Sequence, residues 1–282
     1  MNRTQGTAVV IVLVLIALAS LGLYLYVTSG AEQENTAEVL ETAEPEEVAT
    51  TTPVAVTPIS HATLHLAWSG TGMLVDPVGD PAQYAALGPL DVLLLSDTDP
   101  DHLDPATIAA VATDETALIA PAAVIAELPE DLASRAQQMD NGDTLTLGPF
   151  TLTAVPMYNR TDAGEEPRHP KGRGNGYVID DGSYRVYLAG DTDDTPELRG
   201  QTDIDLAFVP MNPPYTMNVD AAAAGVLAFR PAVVVPYHFR TPEGFSDVGE
   251  FKSLVEDADP QIEVRLLDFY PETQEDGVPR SD

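Results

Sequence analysis

The chain has 282 residues, enough for one large domain or two small ones, and it carries 45 acidic against 13 basic residues for a formal net charge of −32. That charge excludes nonspecific binding to nucleic acid. With no cysteine in the sequence, a disulfide framework, a cysteine nucleophile and a cysteine metal ligand are excluded as well.

In chain order, the first feature is the uncharged apolar run from Ala8 to Val27, long enough as a helix to cross a hydrocarbon core of about 30 Å. Arg3 precedes it and Glu32, Glu34 and Glu38 follow, so the positive-inside rule places the bulk of the protein outside the cytoplasm. Tyr24 and Tyr26 fit an interfacial belt. Residues 1–30 are therefore expected to form a single-pass membrane anchor. The alternative is a signal peptide cleaved at the small residues Ser29-Gly30-Ala31, giving a secreted or periplasmic form, although the run exceeds the roughly 7 to 15 residues of a signal-peptide core. Residues 31–57 are rich in Glu, Thr, Ala and Pro with no basic residue, an acidic linker too polar to fold alone. The folded domain is expected over 58–282.

Within that domain, short runs of strand formers alternate with turn signals. Strands are predicted at Thr63 to Trp68, Gly72 to Val75, Val92 to Leu95, Ala117 to Ile119, Leu145 to Leu147, Thr151 to Val155, Tyr177 to Ile179, Arg185 to Ala189, Leu206 to Val209, Val233 to Pro236 and Glu263 to Leu267. Helices are predicted at Pro105 to Ala112, capped by Asp104, at the Ala-rich Val219 to Phe229, and at Ala122 to Leu128 and Val248 to Asp257.

Three strand ends offer metal-ligating groups. Asp97-Thr98-Asp99-Pro100-Asp101-His102 follows Val92–Leu95, Gly190-Asp191-Thr192-Asp193-Asp194 follows Arg185–Ala189, and His238 follows Val233-Val234-Val235-Pro236-Tyr237. Alternation along an extended segment points Asp97 and Asp99 the same way, and the turn before Asp104 brings Asp101 and His102 from the other side. Without a cation, such neighbouring carboxylates repel and one is driven to protonate. Asp-rich loops also serve as solvated turns and helix caps, which is how Asp104, Asp193 and Asp194 read. Arg168, Lys171 and Arg173 gather around His169, a basic loop in a very acidic chain that suits a small anionic substrate or simply balances the surface charge. No Gly-x-Ser-x-Gly elbow is present, which disfavours a serine hydrolase.

From about Pro58 to Tyr270 the chain resembles the metallo-β-lactamase-fold metallohydrolases. That superfamily has a strand followed by His-x-His-x-Asp-His, then a metal-bridging Asp in a Gly-Asp-Thr turn, then a late His after a strand; here those positions read Asp97, Asp99, Asp101, His102, Asp191 and His238. Further likenesses are to the lactonase-like branch, such as ascorbate-6-phosphate lactonase-like proteins. They lie in Ile59-Ser60-His61-Ala62, Val75-Asp76-Pro77, Val155-Pro156-Met157-Tyr158-Asn159, His169-Pro170-Lys171-Gly172 and Pro210 to Met217. Both histidines of the leading pair are replaced by aspartate.

The resemblance implies an α/β fold, a four-layer αββα sandwich, holding two divalent ions. Asp97, Asp99, Asp101, His102, Asp191 and His238 are the implied ligands, with His169 standing in for a missing histidine or binding substrate; His61 is expected to support the site by hydrogen bonding. Four aspartates balance two divalent cations and favour Mn²⁺, Mg²⁺ or Fe²⁺, while Zn²⁺ also accepts carboxylates. A bound ion brings a water's pKa towards about 7 and so supplies hydroxide. Asp101 would orient that water, Asn212 or the basic loop would stabilise the oxyanion, and Lys171, Arg173, Tyr215 and Thr216 would contact substrate. The expected activity is hydrolysis of an ester, lactone or phosphodiester. The alternative, prompted by Asp97 and Asp99, is a noncatalytic binding or scaffold protein with a degenerate metal site.

Overall fold

Two mixed sheets account for nearly all the strands, each built half from hairpin neighbours and half from parallel crossovers. The computed structural model of the chain describes residues 52–161 and 166–271, within a unit spanning Thr51–Asp282. In the first sheet, β1 (Val54–Ser60), β2 (Thr63–Trp68) and β3 (Thr71–Val75) run antiparallel; β4 (Val92–Leu94), β5 (Ala117–Ala120) and β6 (Ala136–Gln138) then add in parallel. Between them lie α1 (Pro105–Val111), α2 (Ala122–Glu127) and α3 (Glu130–Ala133). The second sheet has β7 (Thr144–Leu147), β8 (Phe150–Met157), β9 (Gly174–Asp180) and β10 (Arg185–Leu188) antiparallel, and β11 (Leu206–Pro210), β12 (Val233–Tyr237) and β15 (Glu263–Val264) parallel to β10. Its helices are α4 (Pro196–Arg199), α5 (Val219–Phe229) and α6 (Val248–Ala258), and β13 (Arg240–Thr241) with β14 (Gly244–Phe245) forms a separate small hairpin.

Period-two alternation sorts the side chains into layers. Leu93 and Leu95 pack outward with Leu74 and Leu118 against Ile108, Val124 and Leu132 of the helices. Val92, Leu94 and Met73 face inward, into one continuous core with Leu152, Ile179, Val186 and Phe208 of the second sheet, a core that also takes in Val226 and Phe229 of α5 and Phe251 of α6. Each fully buried Leu, Val or Phe contributes roughly 1.5–3 kcal/mol, so the two apolar interfaces fix which face each sheet turns inward.

The helix at Pro105 forms as its sequence predicts: the Asp104 side chain accepts from the backbone N–H groups of Ala106 and Thr107 and Pro105 fills the first position. Differences fall at the edges. Strand β1 starts at Val54, ahead of position 58, and its Pro58 is tolerated because β1 is an edge strand with β2 as its one partner. The last strand is only two residues, Glu263–Val264, because β12 offers partners to those two alone. Strand β6 and the β13–β14 hairpin were not predicted; their short, polar segments carry no period-two signal.

The single-pass membrane location expected from the N-terminal run is corrected. No helix among the described residues is long and apolar enough to cross a membrane, and residues 8–27, on which the expectation rested, lie outside the described residues.

In both sheets the parallel strands β3, β4, β10, β11 and β12 end on one side, carrying Asp76, Asp97, Asp191, Asn212 and His238 just beyond them. The C-terminal ends of parallel strands are where α/β proteins place ligands.

Candidate metal centre

The centre is built outward from a buried anchor. Asp76, just past β3, accepts from Ser96 N (2.7 Å), Ser96 Oγ (2.5 Å) and His102 Nδ1 (2.9 Å). His102 is completely buried. With its proton on Nδ1 towards Asp76, a neutral His102 must present the lone pair of Nε2 to the centre, the carboxylate–histidine arrangement that orients metal ligands.

That Nε2 lies 3.1 Å from His238 Nε2 and 3.4 Å from Asp191 Oδ1, which is itself 3.4 Å from His238 Nε2. Asp191 owes its place to Gly190, whose φ is +67° and where a Cβ would meet Met157 Sδ at 2.6 Å. Asp191 Oδ1 is buried with no hydrogen-bond partner, as is His238 Nδ1. Asp101 Oδ2 stands 3.3 Å from His238 Nε2 and 3.1 Å from His61 Nε2, and the Tyr270 hydroxyl, 2.7 Å away, fixes His61 Nδ1. Donor atoms of His102, Asp191 and His238, and of His61, Asp101 and His238, lie close enough to share an ion.

The electrostatics follow from enclosure against charge. Burial opposes ionisation of Asp191, yet the imidazoles of His238 and His102 hold its carboxyl well below the usual range. Asp101 is likewise held far down, against burial, by the His238 and His61 hydrogen bonds. Burial pushes His61 down to about 4, so its ring is neutral and its Nε2–H donates to Asp101. Burial also opposes protonation of His102, but the neighbouring Asp191 and Asp76 carboxylates raise it well above the ordinary imidazole value. The set draws cations in, and two imidazoles with carboxylate oxygens fit a divalent ion.

The other side of the cleft differs. Asp97, with no exposed surface, accepts two parallel bonds from the Arg173 guanidinium, Nε to Oδ1 at 2.8 Å and Nη2 to Oδ2 at 2.5 Å. Arg173 Nη2 also reaches Asp99 Oδ1 at 3.1 Å. Asp99 Oδ2 is 3.2 Å from His169 Nε2, which is 3.3 Å from Asp191 Oδ2 and 4.0 Å from Asp97 Oδ2. Thus Asp97 and Asp99 do point the same way, but towards an arginine.

A cavity of about 530 Å³ opens over the centre, lined by His61, Asp101, His169, Asp191, Asn212 and Arg240 among others, with Tyr215 at its rim. The Thr216 hydroxyl donates to Asn212 Oδ1 at 2.5 Å, leaving the amide NH₂ as the end that can donate into the cavity. The expected substrate contacts are only partly assembled. Lys171 ion-pairs with Glu197 and lies over the Tyr158 ring, Arg173 is engaged by Asp97, and Thr216 lines a separate cavity with Arg160 and Asp193. A larger cavity, about 600 Å³, lies at the opposite strand ends around Arg185, Asp205 and Arg230, where Arg185 and Arg230 pair with Asp180 and Asp259; none of the candidate ligands lines it.

Two roles went unread in the sequence. Asp76 had its signal in Val75-Asp76-Pro77 directly after a strand, whereas Arg240 had none, since only the hairpin it begins carries it to the cavity.

Facing mixed sheets with Asp and His loops gathered at one edge define a metallo-β-lactamase fold, and residues 55–238 match the Beta-lactamase superfamily domain. Within that superfamily the chain belongs to the UPF0173 metal-dependent hydrolases. It is 30% identical over 217 residues to such a hydrolase of Caldivirga maquilingensis, covering 74% of this chain and 92% of the relative. To one of Pyrococcus horikoshii it is 31% identical over 213 residues, covering 71% and 91%. Among solved structures, a Parabacteroides distasonis protein, itself assigned provisionally as a metal-dependent hydrolase, is 35% identical with a TM-score of 0.66 over 76% of this chain and 92% of that one. Igni18, a metallo hydrolase of Ignicoccus hospitalis, shares the fold at 22% identity, with a TM-score of 0.64 over 76% and 94%. The protein is a metal-dependent hydrolase, so the scaffold alternative falls away; the family implies a divalent metal.

Proposed function

We propose that this hydrolase cleaves an ester, lactone or phosphodiester bond in a small anionic substrate, with a divalent ion held by His102, Asp191 and His238 and approached by Asp101. The observation that carries the reading is the convergence of two imidazole Nε2 atoms on the buried, unpartnered Asp191 Oδ1. A divalent ion bound there supplies a Lewis acid and lowers the pKa of a water towards about 7.

The chain's own groups account for the rest. Asp101, the most exposed of these carboxylates at 42%, is fixed by His61 and His238 at the cavity side and orients the attacking water. The Asn212 amide donates to the developing oxyanion. Arg240 and Tyr215 at the cavity mouth meet the anionic part of the substrate, the role first expected of Lys171 and Arg173. The likeness to lactonase-like proteins supports a lactone among the candidate substrates. Two imidazoles favour Zn²⁺ and the surrounding carboxylates Mn²⁺ or Fe²⁺. The expected second ion would need Asp97, Asp99 and His169, where Arg173 already sits.

A panel of chromogenic esters, lactones and phosphodiesters tests this reading, assayed before and after chelation. Turnover of at least one class should vanish with chelator and return with added Zn²⁺ or Mn²⁺. Turnover indifferent to chelation, in a protein verified metal-free, would overturn it.

A further inference from the structure

Arg173 is one of few basic residues in the chain, and it is spent on a contact that faces into the centre. Its guanidinium meets Asp97 through both carboxylate oxygens, the fork-to-fork geometry that gives the strongest charge-assisted pairing. Thr98 N donates a further bond to Asp97 Oδ1 at 2.8 Å. Asp99 is shared between Arg173 and His169. Every carboxylate oxygen of the pair thus already has a cationic or N–H donor.

The arginine is held there by its backbone. Strand β9 begins at the next residue, Gly174, where a Cβ would meet Ser96 O at 2.7 Å and Met157 Cε at 2.6 Å. Asn175 N donates to that same Ser96 oxygen at 2.9 Å. Ser96 immediately precedes Asp97, so the segment carrying the arginine is laid directly on the segment carrying the aspartate. The Arg173 side chain is 23% exposed and that of Asp97 not at all.

Donor atoms of Asp97, Asp99 and His169 do lie within mutual reach of one ion. Charge decides against it. A divalent ion among them would stand beside a guanidinium that does not give up its proton, and would have to strip the fully buried Asp97 of its two bonds to that guanidinium.

We propose that Arg173 serves as a built-in cation in place of a second metal ion, so that this chain holds a single divalent ion on the His102–Asp191–His238 side and excludes another from the Asp97–Asp99–His169 side. A permanent charge of one unit replaces a removable charge of two, and the aspartates complement that arginine. The inference rests on the metal-dependent reading given above.

Counting ions in the full-length protein tests it. Stripped protein is loaded with excess Zn²⁺, desalted and analysed by mass spectrometry for metal, with calorimetric titration alongside. The wild type should hold one ion per chain, and Arg173→Gln, which keeps N–H donors but no charge, should hold two. Arg173→Lys should stay at one. In the wild-type background, Asp97→Asn with Asp99→Asn should also leave the count at one, which guards against Arg173→Gln failing to fold. Two ions in the wild type, one in a folded Arg173→Gln, or loss of an ion in the double Asn variant would each overturn the inference while leaving metal dependence intact. No ion in any variant would overturn both.

Discussion

The two halves of the cleft use the same residue types to opposite ends. On the His102–Asp191–His238 side, ring nitrogens and a carboxylate oxygen face one another at 3.1–3.4 Å, and the positive charge set among them is a proton that an imidazole can lose. On the Asp97–Asp99–His169 side, the carboxylates face an arginine that cannot lose its charge. A cluster of acids and histidines is therefore not by itself a metal site. Whether the compensating cation can leave decides what the cluster does.

The largest effect that would sharpen this contrast is Asp191→Ala, which removes the one oxygen common to both imidazoles. Hydrolysis should fall to background and the bound ion be lost, with circular dichroism unchanged; retained turnover would break the account of that side. On the other side, Arg173→Gln in metal-free protein leaves Asp97 as an uncompensated buried carboxylate, pushed up by burial against the guanidinium that otherwise lowers it. Losing one partner of a buried pair costs about 3–5 kcal/mol, and the partial exposure of Arg173 argues for the low end, about 3 kcal/mol. Denaturant unfolding should register that loss, and Zn²⁺ should restore part of it in the variant.

Asp76→Asn reaches the centre only through His102. Removing such a carboxylate partner typically weakens metal binding 10–100-fold, whereas a purely structural Asp76 would lower stability and leave the affinity of the folded protein alone. Protons provide a milder probe. His102 is raised well above the ordinary imidazole value, against burial, by the Asp191 and Asp76 carboxylates. An ion needs its ring ligands neutral, so binding displaces protons wherever the rings are charged. Apparent Zn²⁺ affinity should climb by about tenfold per pH unit for each proton displaced, continuing above the ordinary value of about 6.5 before levelling off. An affinity independent of pH across that range would mean that no buried imidazole gives up a proton to the ion. The smallest effect belongs to Arg240→Gln at the cavity mouth: KM for an anionic substrate should rise by less than about tenfold, with kcat little changed. A substrate whose KM ignores Arg240 and salt is not held by its charge there.

Much of this contrast is visible in the sequence, but unevenly. Strands β4, β10 and β12 announce themselves as apolar runs ending in Asp or His, so the convergence of Asp101, His102, Asp191 and His238 is readable from strand ends once the fold is assumed. The layered order of sheets and helices comes from the resemblance, since periodicity gives strands without their neighbours. Strand β1 is hidden because Pro58 and the acidic residues before it mimic a linker, and only pairing with β2 makes it a strand. The Arg173–Asp97 pair spans 76 residues and has no local signature. A scarce arginine beside His169 reads as a substrate contact, and only the close packing of Gly174 on Ser96 turns it inward.

The most direct test is crystallographic. Crystals of the full chain soaked in Zn²⁺ and measured at the zinc edge should give one anomalous peak per molecule, bounded by His102 Nε2, His238 Nε2 and Asp191, with Arg173 still paired to Asp97. An anomalous peak among Asp97, Asp99 and His169 with the arginine swung away, or none beside His102 and His238, would contradict the account.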